Sequence, residues 1–137
     1  MGYQAKQIYV NLAVKDLQKS IAFFTELGFS FDPNFTDDKA ACLVIGENIY
    51  AMLVSEPLFQ TFTKKEIADA ARSTEVIVAL SADSKEQVDE LVKKAVEAGS
   101  SSHETVDHGF MYVGNFQDLD NHMWEILYMD QNQIHQA

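Results

Sequence analysis

The chain has 137 residues, of which 47% are apolar and 23% charged, a composition typical of one globular domain with an ordinary core. The net charge of −11 disfavours nucleic acids and anionic membranes as partners, because no basic patch offsets phosphate repulsion. The single cysteine, Cys42, excludes an internal disulfide and a cysteine-rich zinc site. Residues 1–7 carry no apolar secretory segment and no stretch has transmembrane length, so we expect a cytoplasmic protein.

The first half of the chain predicts a strand, a helix and three further strands. Alternating apolar residues predict a strand over residues 7–14, and apolar residues three and four apart predict the helix that follows. Asp16 has the side chain of a helix N-cap, and Gly28 permits the left-handed turn that ends a helix. The three short strands are predicted over residues 29–35, 40–45 and 49–55.

Residues 56–73 interrupt this pattern and are interpreted as a connector. Pro57 ends the preceding strand, and the spacing of Thr63 and Glu66 is that of a capping box, which predicts a short helix to about Arg72. The sequence leaves open whether this segment also forms a cleft wall or a dimer contact.

The second half repeats the order of the first. A strand begins at Glu75, and the capping box of Ser84 and Gln87 opens a helix that Gly99 ends. Three more strands are predicted near residues 102–106, 110–116 and 122–129. Late in each half, residues 48–54 align with residues 122–128.

This repeat predicts an α+β fold in one domain, residues 1–137. Two βαβββ modules, about residues 7–56 and 75–129, are joined by the helical connector. Repeated units that cannot bury their own faces must pair with each other. We therefore expect pseudo-twofold symmetry, with curved mixed sheets enclosing a cleft.

Two motifs resemble those of the vicinal oxygen chelate superfamily, which includes glyoxalase I, extradiol dioxygenases, fosfomycin-resistance enzymes and bleomycin-resistance proteins. Residues 9–29 are similar to its opening motif. Residues 110–125 are similar to its closing motif, in which an Asp-Pro-Asp-Gly turn leads to a glutamate on the last strand. Leu119 and Asn121 replace the usual proline and glycine, and asparagine tolerates the positive φ of such a turn. The resemblance covers residues 7–129 and implies the same two-module fold.

The resemblance also implies four positions for metal ligands, which here are Tyr9, Ala51, Glu75 and Glu125. Only Glu125 has the residue type of the metal-binding pattern, since the usual histidines are replaced by Tyr9 and Glu75, and the usual carboxylate by Ala51. The ligand set for zinc, nickel, iron or manganese is therefore largely missing. A divalent metal remains one candidate cofactor.

Glu125 and Glu75 are the candidate catalytic residues. Strand alternation predicts both on the cleft side, where two carboxylates repel and one is expected to keep a proton near neutral pH. That group would act as a general acid or base in an enolisation or isomerisation. Alternatively, the pair would hold a hard divalent cation, or Glu75 would be solvated or hydrogen-bonded to Tyr9 or Asn11.

The other predicted cleft residues combine apolar and hydrogen-bonding side chains. This mixture is typical of a small-molecule pocket, and a packed core between two sheets is nearly as compatible with it. The set consists of Tyr9, Asn11, Ala51, Leu53, Ile77, Tyr112 and Leu127. His122 is expected at a turn or on the helix-facing side of the last strand.

Three functions remain open at this point. One is a lyase, isomerase or dioxygenase that uses Glu125 with Glu75 or Tyr9. Another is a metal-free protein that binds a small molecule, like the bleomycin-resistance group, and the third is a structural or regulatory dimer. The depleted ligand set favours the second function. The resemblance implies a homodimer, and exposed strand edges would favour such pairing.

Overall fold

The computed structural model describes residues 2–130, which divide into two units between Ala68 and Asp69. The first unit consists of β1 (Ile8–Val14), α1 (Leu17–Glu26), β2 (Ser30–Asp32), β3 (Ala40–Gly46), β4 (Ile49–Ser55) and the short α2 (Glu56–Phe59). Its sheet has the order β1-β4-β3-β2, in which β1 and β4 are parallel and the other neighbours antiparallel.

The second unit has the same topology. It consists of β5 (Ile77–Ser81), α3 (Lys85–Glu97), β6 (His103–Asp107), β7 (Met111–Gln117) and β8 (Met123–Met129). The sheet order is β5-β8-β7-β6, again with one parallel pair, β5 and β8. The predicted α+β class and the two βαβββ modules are confirmed. Within residues 2–130, every helix is too short or too polar to cross a membrane.

The ends of the two long helices follow the sequence signals. The side chain of Asp16 accepts a hydrogen bond from the Lys19 N–H (3.1 Å), and Gly28 has a φ of +103°. At α3, the Ser84 hydroxyl oxygen accepts from the Gln87 N–H (3.1 Å). The Gln87 side chain accepts from the N–H of Asp83 (2.7 Å), the residue before the N-cap, so these two backbone N–H groups near the start of α3 both have partners.

The predicted helix at Thr63 is wrong. The helical segment comes earlier, as α2 and a 3-10 turn over Gln60–Phe62, and Pro57 lies in its first turn, where proline is tolerated. The Thr63 hydroxyl accepts from the N–H of Lys65, two residues on, rather than from Glu66, three residues on. Such a bond stabilises a local turn instead of a helix start.

The strand predicted over residues 29–35 is also shorter than expected. It ends at Asp32, and Pro33–Phe35 form a 3-10 turn. The Asp32 side chain accepts from the Asn34 N–H (2.9 Å), which caps this turn, and the fixed φ of proline favours it. The capped 3-10 turn therefore ends β2 at Asp32, although the apolar pattern predicted a longer strand.

Candidate functional site

One face of the second sheet is covered by α3, and the opposite face carries Glu125. Gly114 marks the covered face, because a Cβ there would lie 2.8 Å from Val88 and 2.7 Å from Val92 of α3. Residues in register point to the same side of a sheet, and successive residues alternate. Ile126 is in register with Gly114 and fully buried, so its neighbour Glu125 lies on the face opposite α3.

Glu125 lies at the centre of that face, in a row of residues that crosses the sheet. Asn115 on β7 and Ala79 on β5 are its register partners, and Glu104 on β6 is the partner of Asn115. We call these four residues the Glu125 row. Neighbouring strands are about 4.8 Å apart, so the Cα atoms of Glu104 and Glu125 are about 10 Å apart, with the amide between them.

Two largely apolar rows flank the Glu125 row. One consists of Val106, Val113, Leu127 and Ser81, and the other of Gln117, Met123 and Ile77. The predicted residues Glu125, Leu127 and Ile77 therefore share one face, as alternation indicated. Strand alternation alone did not reveal Asn115 and Glu104, because their position depends on how β6 and β7 pair with β8.

The polar groups of the Glu125 row are available to a ligand. Glu125 and Asn115 are half-buried. Within residues 2–130, neither side chain has a hydrogen-bond or ion-pair partner. A carboxylate accepts hydrogen bonds, and an amide both donates and accepts. The row can therefore bind a polar group while the flanking rows contact an apolar skeleton.

Glu75 lies apart from Glu125, contrary to the pairing expected for a dicarboxylate site. The residue of β5 that is level with Glu125 is Ala79, four positions after Glu75. The Oε1 atom of Glu75 is 3.0 Å from Nδ1 of His122, whose side chain is buried. The Glu75 carboxylate is thus bonded to an imidazole at the start of β8, and not to Tyr9 or Asn11.

A buried carboxylate, Asp118, holds the turn that leads into β8. It accepts hydrogen bonds from Trp124 Nε1 (3.0 Å) and from the backbone N–H groups of His122 (3.0 Å) and Asp120 (2.9 Å). Burial raises the pKa of Asp118, while the charge of His122 and the hydrogen bonds to Trp124 and the backbone oppose the rise. Asn121 has a φ of +67° in this turn, which confirms the expectation for asparagine there.

Tyr112 lies on the face covered by α3 and does not line the face of Glu125. Its hydroxyl donates to Asp89 Oδ1 of α3 (2.6 Å), and Lys85 Nζ is 5.6 Å from its ring centroid. The hydrogen bond to Asp89 and burial raise the pKa of Tyr112. The prediction that Tyr112 lines the cleft is therefore wrong. Its side chain instead connects β7 to α3.

The predicted residues of the first unit divide between two faces. Tyr9 is in register with Tyr50, and Asn11 is the next residue on the same side of β1. Ala51 and Leu53 point to the opposite side and are fully buried in the core. The expectation that all four of these residues line one surface is wrong, because Tyr9 and Asn11 lie on one face of the sheet and Ala51 and Leu53 on the other.

Tyr9 and Tyr50 form a stacked pair on that face. Their ring centroids are 5.0 Å apart and their planes differ by 12°. The Tyr9 hydroxyl donates to Gln7 Oε1 and the Tyr50 hydroxyl to the Glu47 carbonyl, each at 3.1 Å. Tyr50 is not among the residues predicted for the site, because its position beside Tyr9 depends on the pairing of β4 with β1.

The four positions implied for metal ligands do not fit a metal ion within either unit. Tyr9 and Ala51 lie on opposite faces of the first sheet. In the second unit, Glu75 is bonded to His122 and lies away from Glu125. Across residues 2–130, no group of three or more His, Cys, Asp or Glu side chains could hold a metal ion.

Comparison with known proteins supports the architecture. The family model described as the Glyoxalase/Bleomycin resistance protein/Dioxygenase superfamily matches residues 6–126. The structure of a hypothetical protein from S. aureus is 29% identical, with a TM-score of 0.74, covering 92% of this chain and 95% of that chain. A search of curated proteins gives no match.

Two further solved structures are similar in fold alone. A glyoxalase-related enzyme from Fulvimarina pelagi is 20% identical, with a TM-score of 0.75, covering 90% of this chain and 88% of that chain. A bleomycin resistance determinant encoded on the transposon Tn5 is 18% identical, with a TM-score of 0.65, covering 92% of this chain and 99% of that chain.

Proposed function

The chain belongs to the glyoxalase/bleomycin resistance protein/dioxygenase superfamily, and we propose that it binds a small organic molecule without a metal ion. One observation carries this proposal: the half-buried carboxylate of Glu125 lies at the centre of a sheet face and has no partner within residues 2–130. A carboxylate that has lost part of its hydration gains most from a hydrogen-bond donor supplied by a ligand.

The other residues of this face supply the remaining contacts to the ligand. Asn115, directly opposite Glu125, donates to or accepts from a second polar atom of the ligand. Leu127 and Ile77, in the flanking rows, contact its apolar part. A few polar groups among apolar ones are the usual composition of a small-molecule site.

The charge of the site favours ligands that donate hydrogen bonds. The Glu125 row and its flanking rows contain no lysine, arginine or histidine. The whole chain has a net charge of −11, so anionic ligands are repelled at long range. We therefore infer that the ligand presents an amine, amide N–H or hydroxyl group to Glu125.

Ligand-observed NMR on the chelator-treated protein tests this proposal. Cyclohexylamine serves as a probe with an N–H donor and an apolar ring, and cyclohexanecarboxylate as its anionic counterpart. We expect the amine to bind in the millimolar range and Glu125→Gln to weaken its binding about tenfold, because a hydrogen bond to a charged group contributes about 1.5–3 kcal/mol. The carboxylate probe should not bind.

A matched substitution distinguishes the specific loss of the Glu125 carboxylate from the general loss of one negative charge. Glu97→Gln makes the same change at an exposed position at the end of α3 and should leave binding of cyclohexylamine unchanged. The proposal is overturned if Glu125→Gln binds the amine as tightly as the wild type. It is equally overturned if the amine binds only after a divalent metal has been added.

A further inference from the structure

The strand β6 is an outer strand of the second sheet, and alternate residues of it direct their backbone groups away from β7. Just outside the strand, the Gln117 N–H donates to the Ser102 carbonyl (3.1 Å) and the His108 N–H donates to the Met111 carbonyl (2.8 Å). Successive residues of an antiparallel strand bond to alternate sides. Because residues 102 and 108 bond towards β7, the backbone groups that point outwards are those of residues 103, 105 and 107.

These outward backbone groups have no partner within residues 2–130. The backbone hydrogen bonds of β6 all run to β7. Four of its five residues are exposed, and Val106 is half-buried. An open edge of this kind can accept a further strand, whose N–H and C=O groups complete the hydrogen bonding.

The other outer strands are less suited to such pairing. β2 has only three residues and is followed by Pro33, and the last three residues of β1 are buried. Neither β1 nor β5 carries a charged side chain. β6 contains no lysine or proline, the residues that often protect an edge, and it has an imidazole at one end and a carboxylate at the other, His103 and Asp107. Its two ends are therefore complementary to each other.

We propose that β6 pairs with β6 of a second copy of this chain, antiparallel and about a twofold axis at Thr105. In this register Thr105 lies opposite the partner's Thr105, and His103 lies opposite the partner's Asp107. These are the positions whose backbone groups point outwards, so every open N–H and C=O group of the edge is paired. The two four-stranded sheets join into one continuous sheet.

The side chains specify this register. Residues directly opposite each other on paired strands interact, so the His103 imidazole can donate to the partner's Asp107, and the symmetry makes this contact twice. On the other face, Glu104 lies opposite the partner's Val106, so no like charges lie directly opposite. An axis at residue 107 would instead place two carboxylates opposite each other, and an axis at residue 103 would leave both carboxylates without an imidazole.

The Asp107 carboxylate is held in position before a partner arrives. Its Oδ1 atom accepts from the Gly109 N–H (2.8 Å), and its Oδ2 atom is 3.6 Å from Lys85 Nζ. The side chain is nevertheless 53% exposed, so it remains accessible to an imidazole. The inference goes beyond the proposed function and does not depend on it, because neither Glu125 nor Asn115 takes part in the pairing.

Hydrogen exchange of the backbone amides, followed by NMR on the full-length protein at low and at high concentration, tests the inference. We expect the N–H groups of residues 103, 105 and 107 to exchange about tenfold more slowly at high concentration, where the dimer forms. The N–H groups of residues 104 and 106 bond to β7 in monomer and dimer alike, so their exchange should not change. This alternation is specific to pairing along β6.

Three substitutions test the role of charge by sedimentation equilibrium. His103→Glu places two carboxylates opposite each other and should raise the dissociation constant of the dimer about tenfold. His103→Lys keeps opposite charges at this position and should bind within about threefold of the wild type. Lys93→Gln, at an exposed position of α3, changes the net charge as much as His103→Glu and should leave the constant unchanged.

Several outcomes would overturn the inference. One is a monomer at all concentrations, and another is a dimer in which the exchange at residues 103, 105 and 107 is independent of concentration. Slow exchange of these groups in the monomer would mean that another part of the chain covers the edge. A His103→Glu variant that dimerises like the wild type is equally decisive. Glu125→Gln should dimerise normally, so this test is separate from that of the proposed function.

Discussion

Asp118 shows how one buried side chain determines the geometry next to the candidate site. It is 3% exposed and satisfies three donors, among them the indole N–H of Trp124. A buried carboxylate is costly unless hydrogen bonds compensate it. This cluster holds the turn before β8 and thereby the start of the strand that carries Glu125, so Asp118 acts as a positioning residue.

We expect Asp118→Asn to lower the free energy of unfolding by about 1–3 kcal/mol. An asparagine has one carbonyl oxygen, and its NH2 group would face either the Trp124 N–H or the two backbone N–H groups. Urea unfolding followed by the fluorescence of Trp124 measures the change. Asp38→Asn, at an exposed carboxylate, is the control and should change stability by less than about 0.5 kcal/mol.

The difference between the wild type and Asp118→Asn should also depend on pH. Because burial raises the pKa of Asp118 above 3.8, the folded state holds this proton at a pH where the unfolded chain has lost it. Stability therefore falls as the pH rises through this interval. The stability advantage of the wild type should shrink as the pH rises above about 4, and a constant or growing advantage would contradict this assignment.

At the scale of elements, two capping-box patterns had different outcomes. Ser84 caps α3 by accepting from the Gln87 N–H, and the Gln87 side chain accepts from the Asp83 N–H, whereas Thr63 and Glu66 begin no helix. The two patterns look alike because a capping box specifies only residue types and spacing. The helical stripe after Ser84, with Val88 buried against β7, is what supports α3.

This contrast gives a matched pair of substitutions. Ser84→Ala removes the acceptor of the Gln87 N–H and should lower the free energy of unfolding by about 1 kcal/mol. Thr63→Ala removes only an exposed turn bond and should change it by less than about 0.5 kcal/mol. Thermal unfolding of the two variants side by side measures the effects. Equal losses would mean that the residues around Thr63 contribute a cap after all.

Aligning the two halves of the sequence pairs residues of β4 and β8 that lie on different faces of their sheets. Aligning residues 48–54 with residues 122–128 matches Ala51 to Glu125, yet Ala51 lies in the core and Glu125 on the face opposite α3. A slip of one residue moves every side chain of a strand to the other face. β4 has apolar residues on both faces, so alternation could not identify its buried side.

At the scale of the whole molecule, the outer strands of the two sheets favour pairing with a second copy of the chain. β1 and β2 are the outer strands of the first sheet, and β5 and β6 those of the second. Outer strands present backbone groups that can pair with another chain. We propose a homodimer, and sedimentation equilibrium should give twice the chain mass of 15.4 kDa. A mass of 15.4 kDa at all concentrations would contradict this.

The sequence by itself determined the class of fold, the order of its elements and the ends of both long helices. These features depend on residues within four positions of each other, as in the bond from the Lys19 N–H to Asp16, or on periodicity along one element. The same reasoning placed Glu125 correctly relative to Leu127, because both lie on one strand.

Only the tertiary structure decided which residues meet across strands. Glu75 bonds to His122, 47 positions away, and Asn115 lies beside Glu125 because β7 pairs with β8 in one particular register. The stack of Tyr9 on Tyr50 depends likewise on the register of β1 and β4. Register is a property of two strands together, so no pattern within one strand can specify it.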